Sequence, residues 1–354
     1  MQNTSLRPMG IGRILDRSFQ LYRKHFVTLT LIMLILYGPF YLLEQLLTYQ
    51  ETASTSTSIL DQIRSGKSLQ DMFETGSYFQ NNPSVQDENY IGKMLILVLV
   101  LMPIMILGLF PTSVASVVHL VKASLFGEEI PSVGQLLRKS FRRFWPLAGS
   151  TFLDGLIMVG LYIGLGIIIV IFALIFVVGG KFSNAFGDFG GGAVALTVVF
   201  FILLTLGVLF GFCYFFLRWS YYLPFVALGE ESIGIGRSWK LTRKSFWRLF
   251  GMYLVLSLIL YLFLAVIQLI IAAVFGMGLW SQLLQSLVSI VVMSLWYLPY
   301  AVSFFDLKVR NEGLGLEGLM EQTMVNPALD NSEELEPFDP FDDPKPIDLD
   351  KKNE

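Results

Sequence analysis

Asp154 stands out as a residue able to do chemistry: it is the one acid well inside an apolar run, 147–178, that is otherwise free of charge. A carboxylate at that depth in a bilayer is costly, and such groups mark ion or proton paths or buried pairs. Eight residues after Pro146, it could also reach back to the interface or cap a broken helix end. Gln268, Gln282 and Gln285 are polar positions in the last apolar stretch, where hydrogen bonding between helices is the default role. Asp154 and the three glutamines form the candidate intramembrane polar site.

The second set of candidates is basic. Arg17-Ser18-Phe19-Gln20-Leu21-Tyr22-Arg23-Lys24-His25-Phe26 is matched by Arg237-Ser238-Trp239-Lys240-Leu241-Thr242-Arg243-Lys244-Ser245-Phe246, and a looser copy reads Leu136-Leu137-Arg138-Lys139-Ser140-Phe141-Arg142-Arg143-Phe144. At helical spacing Ile11, Ile14, Leu15, Ser18, Phe19, Tyr22 and Phe26 share one face, while Arg13, Arg17, Gln20 and Lys24 share another. That pattern predicts basic amphipathic helices in the headgroup layer, where each cation near an anionic surface contributes ~1 kcal/mol. Arg13, Arg17, Arg23, Lys24, Arg138, Lys139, Arg142, Arg143, Arg237, Lys240, Arg243 and Lys244 are the candidate lipid-headgroup contacts. The same charges also suit a purely topogenic role, holding loops on the cytoplasmic side.

The elements that must carry these residues follow from hydropathy. With 54% hydrophobic and 15% charged residues and a mean hydropathy of +0.62, the chain reads as an all-α polytopic membrane protein. A span needs ~20 apolar residues, which predicts six, at about 27–47, 94–121, 147–178, 193–217, 249–275 and 279–305. The stretch 249–305 carries no charge over 57 residues, too long for one crossing, and Gly276-Met277-Gly278 is the natural turn. Lys and Arg number five before span one, three in 48–93, five in 122–143, one in 179–192 and six in 218–248. None lies in 276–280, and Lys308 and Arg310 follow span six. The alternation predicts both termini in the cytoplasm. Asp306 then reads as the terminator of span six.

Tyr222-Leu223-Pro224-Phe225 and Tyr297-Leu298-Pro299-Tyr300 recur near the ends of spans four and six, and Gly127-Glu128-Glu129 and Gly229-Glu230-Glu231 follow spans two and four. These matches suggest three repeat units, about 8–121, 131–228 and 232–307, each a basic interfacial helix feeding a membrane hairpin. Residues 48–93 form a polar outside loop, and the glycine-rich 179–192 a flexible link. The membrane domain, 1–316, ends in a tail, 317–354, with twelve acids against three lysines, a composition that predicts disorder. The late first apolar stretch predicts an uncleaved signal-anchor.

Enzyme signatures are missing from the sequence: there is no Gly-x-Ser-x-Gly elbow, no His-Glu-x-x-His and no phosphate loop. The two histidines, His25 and His119, lack the further donors a zinc site needs, and Cys213 has no disulfide partner. No catalytic residue, metal or cofactor is expected.

The segment 7–26, with Arg237-Ser238-Trp239-Lys240-Leu241 and Phe305-Asp306-Leu307-Lys308-Val309-Arg310-Asn311-Glu312-Gly313, resembles bacterial proteins similar to the membrane domain of glycerophosphoryl diester phosphodiesterase. The resemblance covers about 7–318 and implies a multi-pass protein of the bacterial plasma membrane. In the namesake enzymes a separate soluble barrel supplies His, Glu and a divalent metal. No such barrel is recognised here, so the activity is not carried over.

The expectation is a non-catalytic protein that engages anionic lipids at the cytoplasmic face as a scaffold or accessory subunit, with a possible protein partner for the acidic tail and no nucleic acid. The alternative is a transporter or permease subunit with a path between the hairpins. If the basic clusters hold headgroups, Gln in place of Arg237, Arg243 and Lys244 should weaken association with anionic vesicles and leave the fold intact; cosedimentation equal to the parent protein would refute it.

Overall fold

The structure, a computed structural model, describes residues 9–52, 90–186, 192–276 and 279–312. The described residues are helical, with no strand among them, and six helices are long and apolar enough to cross a membrane: Phe26–Leu47, Ile91–Phe126, Phe144–Phe172, Val199–Leu228, Phe246–Phe275 and Trp280–Glu312. This is a multi-pass membrane protein. Most of the loop 48–93 and the tail 317–354 lie outside the described residues.

Helices are the solution the bilayer imposes, because each bonds its own N–H and C=O groups where no water can. The expected glycine-rich link at 179–192 is helical at its start: the third helix runs from Phe144 to Phe186, through Gly179-Gly180, the next begins at Gly192, and 187–191 lie outside the described residues. Short helices α1 (Ile11–Lys24), α2 (Val133–Phe141) and α3 (Ile235–Thr242) precede spans one, three and five. Each buries a serine at the position shared by the three basic segments, Ser18, Ser140 and Ser238. Ser18 returns its hydroxyl to the Ile14 carbonyl; Ser140 pairs with Ser116 of span two; Ser238 donates to the Arg218 carbonyl and accepts from the Tyr221 N–H.

Gly127-Glu128-Glu129 and Gly229-Glu230-Glu231 are helix stops. Gly127 and Gly229 adopt φ +69° and +79°, the left-handed turn that glycine enters without a Cβ penalty. The following Glu128 and Glu230 N–H groups bond back to the Ala123 and Phe225 carbonyls. Span two contains two π-helical stretches, Leu97–Leu101 and Ile104–Leu109, beside Pro103 and just ahead of Pro111.

Span six is the centre. Of its most apolar eighteen-residue window 61% is buried, against none for spans three and four. It is also the least hydrophobic span, which a helix surrounded by protein can tolerate because neighbours satisfy its polar groups. The buried core concentrates where α1, α2, spans one and two, the end of span four and the last turns of span six meet: Ile14, Tyr37, Leu120, Leu136, Phe225 and Phe304 are fully enclosed.

Asp306 does not terminate span six. The helix continues to Glu312, and the Asp306 side chain is 0% exposed, its Oδ2 2.7 Å from Arg248 Nη2 and 3.1 Å from Arg310 Nε. Its Oδ1 accepts the Met9 N–H at 2.6 Å. A carboxylate with two hydrogen-bond donors, the Met9 N–H and Arg310 Nε, and an ion-pair partner in Arg248 persists in the helix because burial without them would be prohibitive. Lys308 is buried likewise, reaching Glu230 and Glu312.

Removing one member of such a group strands the others, at a typical cost of about 3–5 kcal/mol. Asp306→Ala should therefore sharply lower the thermal unfolding midpoint in detergent, and Arg248→Met should cost much less in an Asp306→Leu background than alone. Additive losses in that cycle would show the contact to be energetically idle.

Candidate functional site

The expected headgroup cations divide into two sets. Arg13, Arg23, Lys24, Arg138, Lys139, Arg142, Arg143, Lys240, Arg243 and Lys244 are exposed, and Arg17 is half-buried. Arg237 is committed to the protein: it pairs with Glu230 at 3.5 Å and Glu312 at 3.3 Å, and its guanidinium lies 4.9 Å from the Phe225 ring centroid. Arg143 is exposed but lies against Gly229, filling the space a Cβ would take. Replacing Arg237 therefore disturbs a network joining α3 to span six, and the expectation of an intact fold is confined to Arg243 and Lys244. Beside α1, burial and then the neighbouring Lys24 push the His25 pKa below its ordinary value.

Asp154 lies in the wall of a cavity of about 570 Å³ among spans two to six. Phe110 and Val114 come from span two, Cys213 to Leu223 from span four, Phe250 to Tyr261 from span five, and Trp296, Tyr297 and Tyr300 from span six. The wall is aromatic and apolar, with Asp154 the one charged side chain among its described residues. Phe216, Leu254 and Tyr261 line it and are also exposed on the outer surface of spans four and five, so the cavity opens sideways between them. Asp154 is ten residues into its helix and Tyr253 seven into its own. At ~1.5 Å per residue they sit roughly 10–15 Å from the ends that carry the basic helices, within one half of a ~30 Å hydrocarbon core.

The polar groups around the cavity are nearly all occupied. Tyr222 donates to Thr151 Oγ1 at 3.1 Å and Tyr300 to the Ser220 carbonyl. Tyr253 shares a 3.0 Å hydrogen bond with Tyr221, which in turn meets Ser303; Tyr297 meets Tyr37, which meets Ser113. Asp154 Oδ1 is the exception: it is buried and has no hydrogen-bond partner.

The glutamines do not join it. Gln268 is exposed on span five, Gln282 is half-buried on span six, and neither lines the cavity. Gln285 donates to Ser281 within its own helix, at 3.1 Å, rather than across helices as expected, because residues four apart are the nearest neighbours on a helix. The tyrosines were the missed companions. Their signal was the recurrence of Tyr-Leu-Pro at 222–224 and 297–299, which reads as a repeat and not as a wall.

Arg218, at the start of the basic connection 218–248, lies within the helix of span four and is 5% exposed. Its guanidinium lies 3.7 Å from the Trp239 ring centroid and donates to the Trp239 carbonyl at 3.0 Å and to Tyr214. Planar stacking and fixed donors let arginine be buried where lysine would not. Among the described residues, no group of three or more His, Cys, Asp and Glu is placed to hold a metal ion.

Comparison with known proteins finds one family model, described as Domain of unknown function (DUF7847), matching residues 88–306. No curated protein and no solved structure matches.

A buried carboxylate oxygen without a hydrogen-bond partner destabilises the protein that carries it, by about 1–3 kcal/mol. Asp154→Leu should accordingly raise the thermal unfolding midpoint of the detergent-purified protein; a lowered midpoint would mean that the carboxylate holds the fold together.

Proposed function

This chain belongs to the DUF7847 family, a domain of unknown function, and from its own side chains we propose that it is a non-catalytic membrane protein that takes up a lipid-like amphiphile. The observation that carries the reading is the cavity among spans two to six. Its volume, about 570 Å³, falls in the range of small-molecule sites, which are mostly apolar with a few placed polar groups. A rim of Phe216, Leu254 and Tyr261 suits entry from the acyl layer, and Asp154 supplies the polar end, in the half of the core nearer the basic helices.

The basic segments support the same reading from outside. α1, α2 and α3 are amphipathic interfacial helices in this view, with buried apolar faces and exposed arginines and lysines that meet anionic headgroups on the cytoplasmic side. Both termini are cytoplasmic, the three units are related by internal repetition, and the protein acts as a lipid-engaging scaffold or accessory subunit. The resemblance to the phosphodiesterase membrane domain supports a lipid-linked role without its catalysis. A transport path is the less favoured alternative, because Gln268, Gln282 and Gln285 stand apart from the cavity and leave one carboxylate in an aromatic wall.

Ser257 offers the test. It lines the cavity from span five and bonds only the Leu254 carbonyl one turn back. Ser257→Trp should fill the space while keeping the helix. Photoreactive single-chain lipid analogues should label cavity residues in the parent protein and lose most of that labelling in the variant, with the unfolding midpoint retained. Equal labelling of the two proteins would refute occupation of this cavity.

A further inference from the structure

We infer that the occupant of the cavity carries a cation: an amphiphile whose ammonium group pairs with Asp154 while its chain lies along the aromatic wall. This rests on the lipid-uptake reading above and adds the chemical class of the ligand.

The charge balance points there first. Asp154 Oδ1 is buried without a partner, and no Lys, Arg or His is among the described residues that line the cavity with it. The protein has the means to neutralise buried acids and uses them elsewhere: Asp306 receives Arg248, Arg310 and the Met9 N–H. At Asp154 the counter-charge is left to the ligand. An anionic headgroup would be repelled there, and a neutral one could offer a hydrogen bond but no counter-charge.

The neighbouring hydroxyls narrow the choice. Tyr222, Tyr253, Tyr297 and Tyr300 are bound to Thr151, Tyr221, Tyr37 and Ser220. Held in that way, these tyrosines present ring faces and edges rather than free donors. Together with Trp296 they offer the negative π surface that ammonium groups approach favourably in a site sheltered from water. One carboxylate ringed by aromatics is a chemistry suited to alkylammonium ions, and an apolar wall beyond it suits their chains.

The full chain in dodecyl maltoside, a host without charge or ammonium groups, provides the experiment. Two diazirine probes of equal chain length are used, one ending in a primary amine and one in an alcohol, with labelling at cavity-lining peptides read by mass spectrometry. The amine should label the parent protein at least about tenfold more efficiently than the alcohol, as expected for a sheltered charge pair worth about 1.4 kcal/mol or more. Asp154→Asn should bring the two probes within about twofold of each other, and Asp154→Glu should restore the amine preference. An amine preference that survives Asp154→Asn, or is absent from the parent protein, overturns the cation inference while leaving the cavity reading standing. Failure of both probes to label the parent cavity overturns the cavity reading itself.

Discussion

Everything at the basic end of this bundle depends on the burial of Asp306. A carboxylate removed from water has to be met by donors or counter-charges, and here they come from three places in the chain: the Met9 N–H and Arg310 one turn on donate hydrogen bonds, and Arg248 at the start of span five supplies an ion pair. Arg248 and Arg310 also donate to the Met9 carbonyl, so the entry into α1 is gripped from both sides. On another side of the same helix, Lys308 draws in Glu230 from the turn after span four, and Arg237 joins Glu230 to Glu312. The last turns of span six are thus a hub to which separate segments are tied by charge. Incomplete assembly would leave bare ions, so these contacts favour one arrangement over near alternatives more than they add raw stability.

That hub explains why packing is uneven. The enclosed residues gather beside it, whereas spans three and four keep no buried position in their most apolar windows. Apolar side chains gain little by leaving lipid for protein, and Gly155, Gly160, Gly164, Gly207 and Gly211 in these spans meet no neighbour within 4 Å of where a Cβ would stand, so little closes the remaining space. The cavity lies where these regimes meet: tyrosines tied into the hub side form its floor, and exposed Phe216, Leu254 and Tyr261 form its rim.

The spans were legible in the sequence because the energetic signal is local: about twenty apolar residues are needed wherever the chain crosses. Boundaries set by charge were not, since Arg218 and Asp306 read as interfacial from sequence but are buried, one under Trp239 and the other among arginines. Asp154 was recognisable as an intramembrane carboxylate, but its surroundings were not. The cavity wall draws on residues from Phe110 to Tyr300, and no local periodicity reports which distant helices face one another. The Gly-Glu-Glu recurrence was visible as a pattern; its cause, a left-handed turn at Gly127 and Gly229, is a backbone requirement that only the fold discloses.

The two π-helical stretches of span two, Leu97–Leu101 and Ile104–Leu109, give this wall an unusual allowance. A π turn is an α-helical turn that has absorbed an additional residue, with the regular helix resuming on either side. Phe110 and Val114 lie just beyond these turns, on the cavity wall. Losing one residue from a wide turn would return it to ordinary α geometry and leave those two side chains facing inward. Span two can therefore lose a residue at these turns while the wall it contributes stays the same.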